Sequence, residues 1–413
     1  MNRTNSIANG RGGNMKPLRV ALYSHDAMGM GHMRRNLLLC HLLSRPPIGA
    51  TILLISGARE SGLFPVPPGV DTLTLPALRK DKNGEYHSRS LDVSTNDLIV
   101  MRSKVIHTAV RAFCPDVFIV DFRPAGLCGE LEYTLDQITP DPRTRCVLGL
   151  RDIVDEPAVV RKYWFNPSTE EALNRYFDAL WIYGDPGVYD VAREYGLSSD
   201  LAAKMRYTGY LDQSVCCEFA SPSEMELPAR LGLPPGRLAV CMVGGGQDGS
   251  ELAQAFAGAA LPPETNAVIL SGAYMSSEDE ERLKRAAVDN RRIRILKFVS
   301  EPGPLLRLAD RVITMGGYNS VCDVLSYGKP ALVVPRVKPR LEQFIRAQRL
   351  RDLGVIDMLH PADVSSEAIS RWLHDDKPCR FRARERLDLD GDIRLLDLFR
   401  EMVPGPAPFA VAH

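Results

Sequence analysis

The 413-residue chain has no excess of charge, with 51 lysines and arginines against 51 aspartates and glutamates. That balance gives no support for a nucleic-acid partner or a strongly anionic surface, both of which select basic faces. Local patches such as Arg34-Arg35 or Arg291-Arg292 remain open. Nine cysteines occur without a CxxC pair or zinc-type spacing, which argues against a thiolate metal site. Scattered thiols in a chain of this length suit a reducing compartment. There is no apolar run of about 18 residues, so no membrane span is expected. The first 14 residues (MNRTNSIANGRGGN) are polar and lack the apolar stretch of a secretory signal. The expectation is a cytoplasmic protein with a loose tail over 1–14, and any membrane contact would be peripheral.

What is present is an alternation of strand and helix. The length favours two domains. A buried strand LRVALYS (18–24) leads into the glycine-rich turn HDAMGMGH (25–32) and a helix RRNLLLCHLLSR (34–45). TILLIS (51–56), a Pro/Gly stretch (62–69), a polar loop RKDKNGEYHSRS (79–90) and a helix over about 94–113 follow. Strands at 115–121, 146–152 and 179–185 each end in an acid. Composition shifts at 212–237, where proline, serine and acids cluster. A second series runs through 238–246, 267–272, 293–299, 311–317 and 331–335. Such alternation predicts an α/β protein of doubly wound parallel sheets. The domains expected are 15–215 and 238–390, joined by a linker at 216–237. A helix at 391–404 packs back toward the first domain, and a tail covers 405–413.

Open parallel sheets bind ligands beyond the carboxyl ends of their strands. In the second half, Gly244-Gly245-Gly246-Gln247-Asp248-Gly249-Ser250 joins a strand to a helix, a phosphate-loop candidate that is neither a Walker motif nor GxGxxG. Ordinary turn chemistry accounts for the same glycines. The pattern recurs in MGGYNSVCDVLSYGKPALVVP (315–335): Gly316-Gly317 ends a strand, Asn319 or Ser320 caps the helix, and Asp323 falls in its first turn. A carboxylate there accepts both hydrogen bonds of a ribose diol, or merely complements the helix dipole. Glu342 and Gln343 open a later helix and suit sugar hydroxyls. Phe298-Val299 offers a flat surface to a base, or packs in the core. In the first half, Gly29, Gly31 and His32 follow the first strand. His32 suits a general base, with His25 competing for the role. Asp121, Arg151, Asp152 and Asp185 stand at strand ends.

This constellation resembles GT-B glycosyltransferases, in particular the family 28 group that includes the bacterial N-acetylglucosaminyltransferase acting on lipid-linked peptidoglycan precursor. The Gly-x-Gly-His turn, the GGGQDGS loop and above all the stretch 297–354 carry the likeness. The resemblance implies two Rossmann-like domains facing each other across a cleft. Acceptor binding would fall to Gly29, Gly31, Arg151 and Asp152, with His32 or His25 as base. A UDP-sugar would be held by Gly245, Gly246, Gln247, Phe298, Val299, Gly317, Asn319, Ser320, Asp323, Glu342 and Gln343. Three features differ from the family pattern. The first loop is shorter, Arg346 stands where asparagine is common, and GLRDIVDEP (149–157) has no counterpart.

The implied reaction is an inverting transfer of a hexosyl or N-acetylhexosaminyl group to a hydroxyl acceptor: a glycan, a lipid-linked molecule or a small one. Helix starts would stabilise the leaving diphosphate, so neither metal nor other cofactor is required. The rival readings are a nucleotide-sugar hydrolase or epimerase on the same fold, a dinucleotide-dependent oxidoreductase, and a non-catalytic nucleotide-sugar-binding protein. The oxidoreductase is disfavoured by the absence of GxGxxG.

Overall fold

The computed structural model describes residues 17–25, 31–81, 85–288, 290–375 and 383–403. Two all-parallel sheets carry the fold. The first contains β1 (Arg19–Ser24), β2 (Thr51–Ser56), β3 (Val70–Thr74), β6 (Val117–Asp121), β7 (Arg145–Arg151), β8 (Ala179–Tyr183) and β9 (Met205–Tyr207), in the order β3-β2-β1-β6-β7-β8-β9. Between them in sequence, β4 (Leu78–Lys80) and β5 (Tyr86–Ser88) form a separate antiparallel hairpin. The second sheet contains β10 (Arg237–Met242), β11 (Thr265–Leu270), β12 (Ile293–Leu296), β13 (Arg311–Thr314), β14 (Ala331–Val333) and β15 (Asp357–Met358), in the order β12-β11-β10-β13-β14-β15.

The central strands are buried along almost their whole length: VALYS of β1, VFIVD of β6 and LAVCM of β10 are covered on both faces. Continuous apolar runs of this kind belong to parallel sheets with helices on both sides. In each sheet the winding direction reverses beside the first strand, between β1 and β6 and again between β10 and β13. Crossovers leave those points toward opposite faces and open a crevice at the strand ends. The two crevices face one cleft.

Several expectations need correction. The polar loop at 79–90 contributes both strands of the hairpin, and β3 follows directly on the Pro/Gly stretch. The strand expected over 293–299 stops at Leu296, leaving Phe298 and Val299 beyond it. The region 213–230 holds a 3₁₀ helix, Gln213–Phe219, and two short helices, Pro222–Met225 and Leu227–Arg230, the former with a capping box of Ser221 and Glu224. Segment 383–403 returns to the first sheet: Asp388 donates its N–H to the Asp185 carboxylate, and Gly391 donates to the Tyr210 carbonyl. One continuous core cluster includes Val20 and Ile119 of the first sheet and Val240 and Val312 of the second. Among the described residues no helix is long and apolar enough to cross a membrane.

Candidate functional site

The site begins where β1 and β6 end. Gly31 and His32 form the first turn of the helix Gly31–Ser44, and Asp121 is the last residue of β6. His32 Nδ1 lies 2.7 Å from Asp121 Oδ2. A carboxylate only accepts, so the Nδ1 facing it carries the hydrogen, and in the neutral ring Nε2 is the acceptor; Arg35 Nη2 lies 3.0 Å from the same Nδ1. Asp121 is otherwise enclosed: Arg35 donates to it at short range, Asn36 Nδ2 donates at 3.3 Å and the His25 N–H at 3.4 Å. Burial alone raises such a carboxyl, but Arg35 and His32 outweigh it and hold Asp121 well below the usual carboxylate range. It is a permanent anion behind the imidazole.

Facing this pair is a cleft of about 330 Å³, in the size range of small-molecule sites. Gly31, His32, Arg34 and Arg151 line it from the first half, and Gly244, Gly245, Phe298, Val299, Gly317, Asn319, Ser320, Asp323 and Gln343 from the second. Helix Tyr318–Ser326 starts at the wall, with Gly317 as its N-cap. Neither Asn319 nor Ser320 caps it, contrary to expectation. Asn319 Nδ2 instead reaches across the cleft to the Gly31 carbonyl at 2.7 Å. Asp323 therefore falls in the second turn and is buried, where Arg34 grips both its oxygens at 3.2 and 3.4 Å.

The glycine loop after β10 divides its labour. Gly244 and Gly245 line the cleft, while Gly246 (φ +90°) packs on the chain at 271–275, where an added Cβ would stand 2.3 Å from the Ser271 carbonyl oxygen. Gly246 is thus a packing residue, and Gln247 is exposed and off the cleft wall. Glu342 is buried behind the wall, bonded through Oε1 to Arg336 at 3.0 Å, and Gln343 alone of that pair faces the cleft.

The acceptor-side expectations separate as well. Arg151 lines the cleft, with its guanidinium 5.2 Å from the Phe122 ring centre. Asp152 does not: it is 1% exposed, and its oxygens are taken by Arg346 (2.6 Å), Tyr210 (3.0 Å) and the Ile153 N–H (2.7 Å). His25 is buried edge-on to His32 with ring centres 5.6 Å apart, off the cleft wall. Burial first, then His32, hold it neutral by lowering its pKa well below the ordinary value. Gly29 lies outside the described residues. Arg34, Arg35 and Tyr318 were not expected at the site. The only local signal was their position one turn from a named residue. Asp81, Glu85 and His87 come within metal-chelating distance on the hairpin, but Asp81 already accepts from the Glu85 N–H and pairs with His87.

Residues 239–378 match the glycosyltransferase family 28 C-terminal domain. Among curated relatives, the UDP-N-acetylglucosamine–N-acetylmuramyl-(pentapeptide) pyrophosphoryl-undecaprenol N-acetylglucosamine transferase of Rubrobacter xylanophilus is 31% identical over 181 residues, 43% of this chain and 48% of that protein. The chain thus spans about half the length of the curated relatives it matches, or less. Of solved structures, Acinetobacter baumannii MurG superposes with a TM-score of 0.54 at 14% identity, covering 93% of this chain and all of that one. The UDP-GlcNAc 2-epimerase of Neisseria meningitidis, solved with UDP-GlcNAc bound, gives 0.59 at 11% identity over 93% and 99% of the two chains. At such identities these likenesses establish the fold, the two-domain GT-B arrangement.

Proposed function

From a family 28 C-terminal domain set in a GT-B fold, we propose that this protein is a glycosyltransferase that moves a hexosyl or N-acetylhexosaminyl group from a UDP-sugar to a hydroxyl acceptor with inversion. The observation that carries the reading is the His32–Asp121 pair at one crevice, facing across the same cleft two glycine turns that open helices at the other.

In this reading the diphosphate lies against Gly244-Gly245 and the helix start at Gly317–Ser320, where free N–H groups and the positive dipole end favour an anion. The ribose diol is held by Asp323. A carboxylate offers about four lone-pair sites, and Arg34 uses one on each oxygen. Phe298 and Val299 take the base, and Gln343 the sugar. The acceptor oxygen attacks the anomeric carbon and gives its proton to His32 Nε2. The anomeric C–O bond breaks as the new one forms, and its electron pair leaves on the β-phosphate of UDP. Asp121 stabilises the imidazolium, a role that needs its charge and not its protonation. Backbone dipoles at the two helix starts receive the developing charge, so no step requires a metal ion. The nucleotide sugar is the only small molecule this scheme needs besides the acceptor.

The test is a thermal-shift screen against nucleotide sugars, since a ligand that binds only the folded state raises its melting temperature. UDP-hexoses or UDP-N-acetylhexosamines should raise Tm. His32→Ala should then lower kcat by about 10²- to 10⁴-fold, the usual worth of a general base, with UDP affinity unchanged. No shift with any nucleotide sugar would overturn the reading.

A further inference from the structure

Four cations on this side of the molecule, of which Arg151 lines the cleft, form no ion pair among the described residues. Arg123, just past β6, places its guanidinium 5.5 Å from the Phe122 ring centre and 5.6 Å from that of Trp164. Arg151, at the end of β7, approaches the same Phe122 ring at 5.2 Å. Lys80, on the β4–β5 hairpin, lies over Tyr86 at 5.4 Å. Arg340 arrives from the second half, in a loop pinned by the Leu341 N–H donating to Asp155 at 2.9 Å. All four are half-buried, and among the described residues none makes an ion pair or side-chain hydrogen bond. The Arg151 Nε is fully covered and unpartnered.

This is unlike the other covered guanidiniums. Arg34, Arg35, Arg102 and Arg346 each meet a carboxylate. The four also press on one another. Burial lowers the pKa of Lys80 and of Arg123, and Arg340 lowers both further. Burial likewise draws Arg151 down to about 10; Glu342 opposes this, while Arg346, Arg35 and Arg340 add to it. Glu342, the carboxylate that acts on Arg151, gives one oxygen to Arg336 and makes no ion pair with Arg151. With equal numbers of acids and bases in the chain, this excess is local. Uncompensated charge away from bulk water is unfavourable unless an anion completes it.

His32 fixes the location relative to chemistry: its ring lies 5.4 Å from the Phe122 ring that Arg123 and Arg151 flank. Resting on the glycosyltransferase reading, we propose that Lys80, Arg123, Arg151 and Arg340 form an oxyanion subsite that recognises a phosphate or carboxylate on the acceptor, one ring's width from the base. Planar guanidinium forks match either group by paired N–H donors. Arg151 belongs to GLRDIVDEP and Lys80 to the hairpin. Because Arg340 comes from the donor-binding half, the subsite is complete only with both halves in contact. A neutral glycan acceptor would leave all four cations unsatisfied.

The experiment titrates inorganic phosphate and, separately, acetate into the full chain saturated with UDP, followed calorimetrically at two salt concentrations. UDP saturation keeps the donor's own diphosphate site out of the readout. At least one anion should bind, more weakly at the higher salt, and the tighter of the two identifies the group. Lys80→Ala with Arg123→Gln, which keeps length over Phe122 and Trp164, should weaken that binding about tenfold or more and leave UDP affinity within about twofold. A circular-dichroism melt of the double variant matching the parent excludes misfolding. Binding of neither anion, or unaltered binding in the folded variant, would overturn the subsite while the donor reading stands. Loss of UDP binding in the parent would overturn the donor reading instead.

Discussion

Glu301 shows what burial does to a single carboxyl group. It sits beside Arg34, 3.7 Å from its guanidinium, and its side chain is 12% exposed. Burial pushes it up to about 7; Arg34 opposes that shift and Asp323 adds to it. The folded state therefore holds a proton that the unfolded chain releases near 4.5. Between those values the native state binds more protons, so stability falls as pH rises from about 4.5 to about 7 and is level above. Two and a half pKa units correspond to about 3 kcal/mol. Glu301→Gln, which mimics the protonated form, should match the parent in urea unfolding at pH 4.5. At pH 8 it should exceed the parent by about 3 kcal/mol or somewhat less. Equal stabilities at pH 8 would show the carboxylate to be well solvated. At this scale the sequence was partly legible. His32 after a strand, glycines before it and an acid ending β6 mark a crevice by local pattern. Arg34 against Asp323 does not, because the partners are 289 positions apart and an arginine pair in a helix carries no sign of what it will face.

Elements were more legible than their edges. Runs such as VALYS and LAVCM can only be buried strands, and helix-length segments between them force parallel crossovers. The hairpin was missed because LRK and YHS are three residues each and polar, too short for any period to emerge. Asp323 was misplaced by a turn because the cap is Gly317 in extended conformation, φ −58° and ψ 148°, and a glycine cap leaves no side-chain signature. Gly316 before it takes φ +79°, and a Cβ there would lie 2.8 Å from Val333. The comparable test on the other glycine turn is Gly272→Ala. Its φ is +84°, and the added carbon would stand 2.4 Å from the Gly245 carbonyl carbon. The alanine must move the loop that lines the cleft, besides the strain of positive φ. UDP affinity should fall about tenfold or more, measured by calorimetry, with β10 and β11 still paired by hydrogen exchange. An unchanged affinity would remove Gly244-Gly245 from the diphosphate site.

At the scale of the whole molecule, two features that set the sequence apart from the family pattern turn out to be one device. Arg346, where asparagine is common, and Asp152, within the unmatched segment 149–157, form an ion pair that is 0% and 1% exposed. Its hydrogen bonds are closed by Tyr210 on the carboxylate and by the Gly316 carbonyl on the guanidinium. One partner follows β7 and the other lies on the helix Glu342–Asp352, so the pair spans the two halves. Both motifs were visible in the chain, but nothing local couples positions 194 apart. A buried pair is poor evidence of net stability, because desolvation offsets the attraction; what it does reliably is penalise the loss of either partner alone, by about 3–5 kcal/mol. Arg346→Met should therefore destabilise by about that much, while Asp152→Leu combined with Arg346→Met should cost clearly less than the sum of the single changes. The same pair bears on cooperativity. With a core cluster running from Val20 to Val240 and this clamp beside the cleft, the parent should unfold in one calorimetric transition. Arg346→Met leaves the Asp152 charge at the seam between halves, so the first structure to open is that seam, and the transition should split in two. On the proposed donor site, UDP should then raise only the transition of the second half. A single transition in the variant, moved as a whole by UDP, would mean that the apolar seam alone joins the halves and that Asp152 and Arg346 set their registry without holding them together.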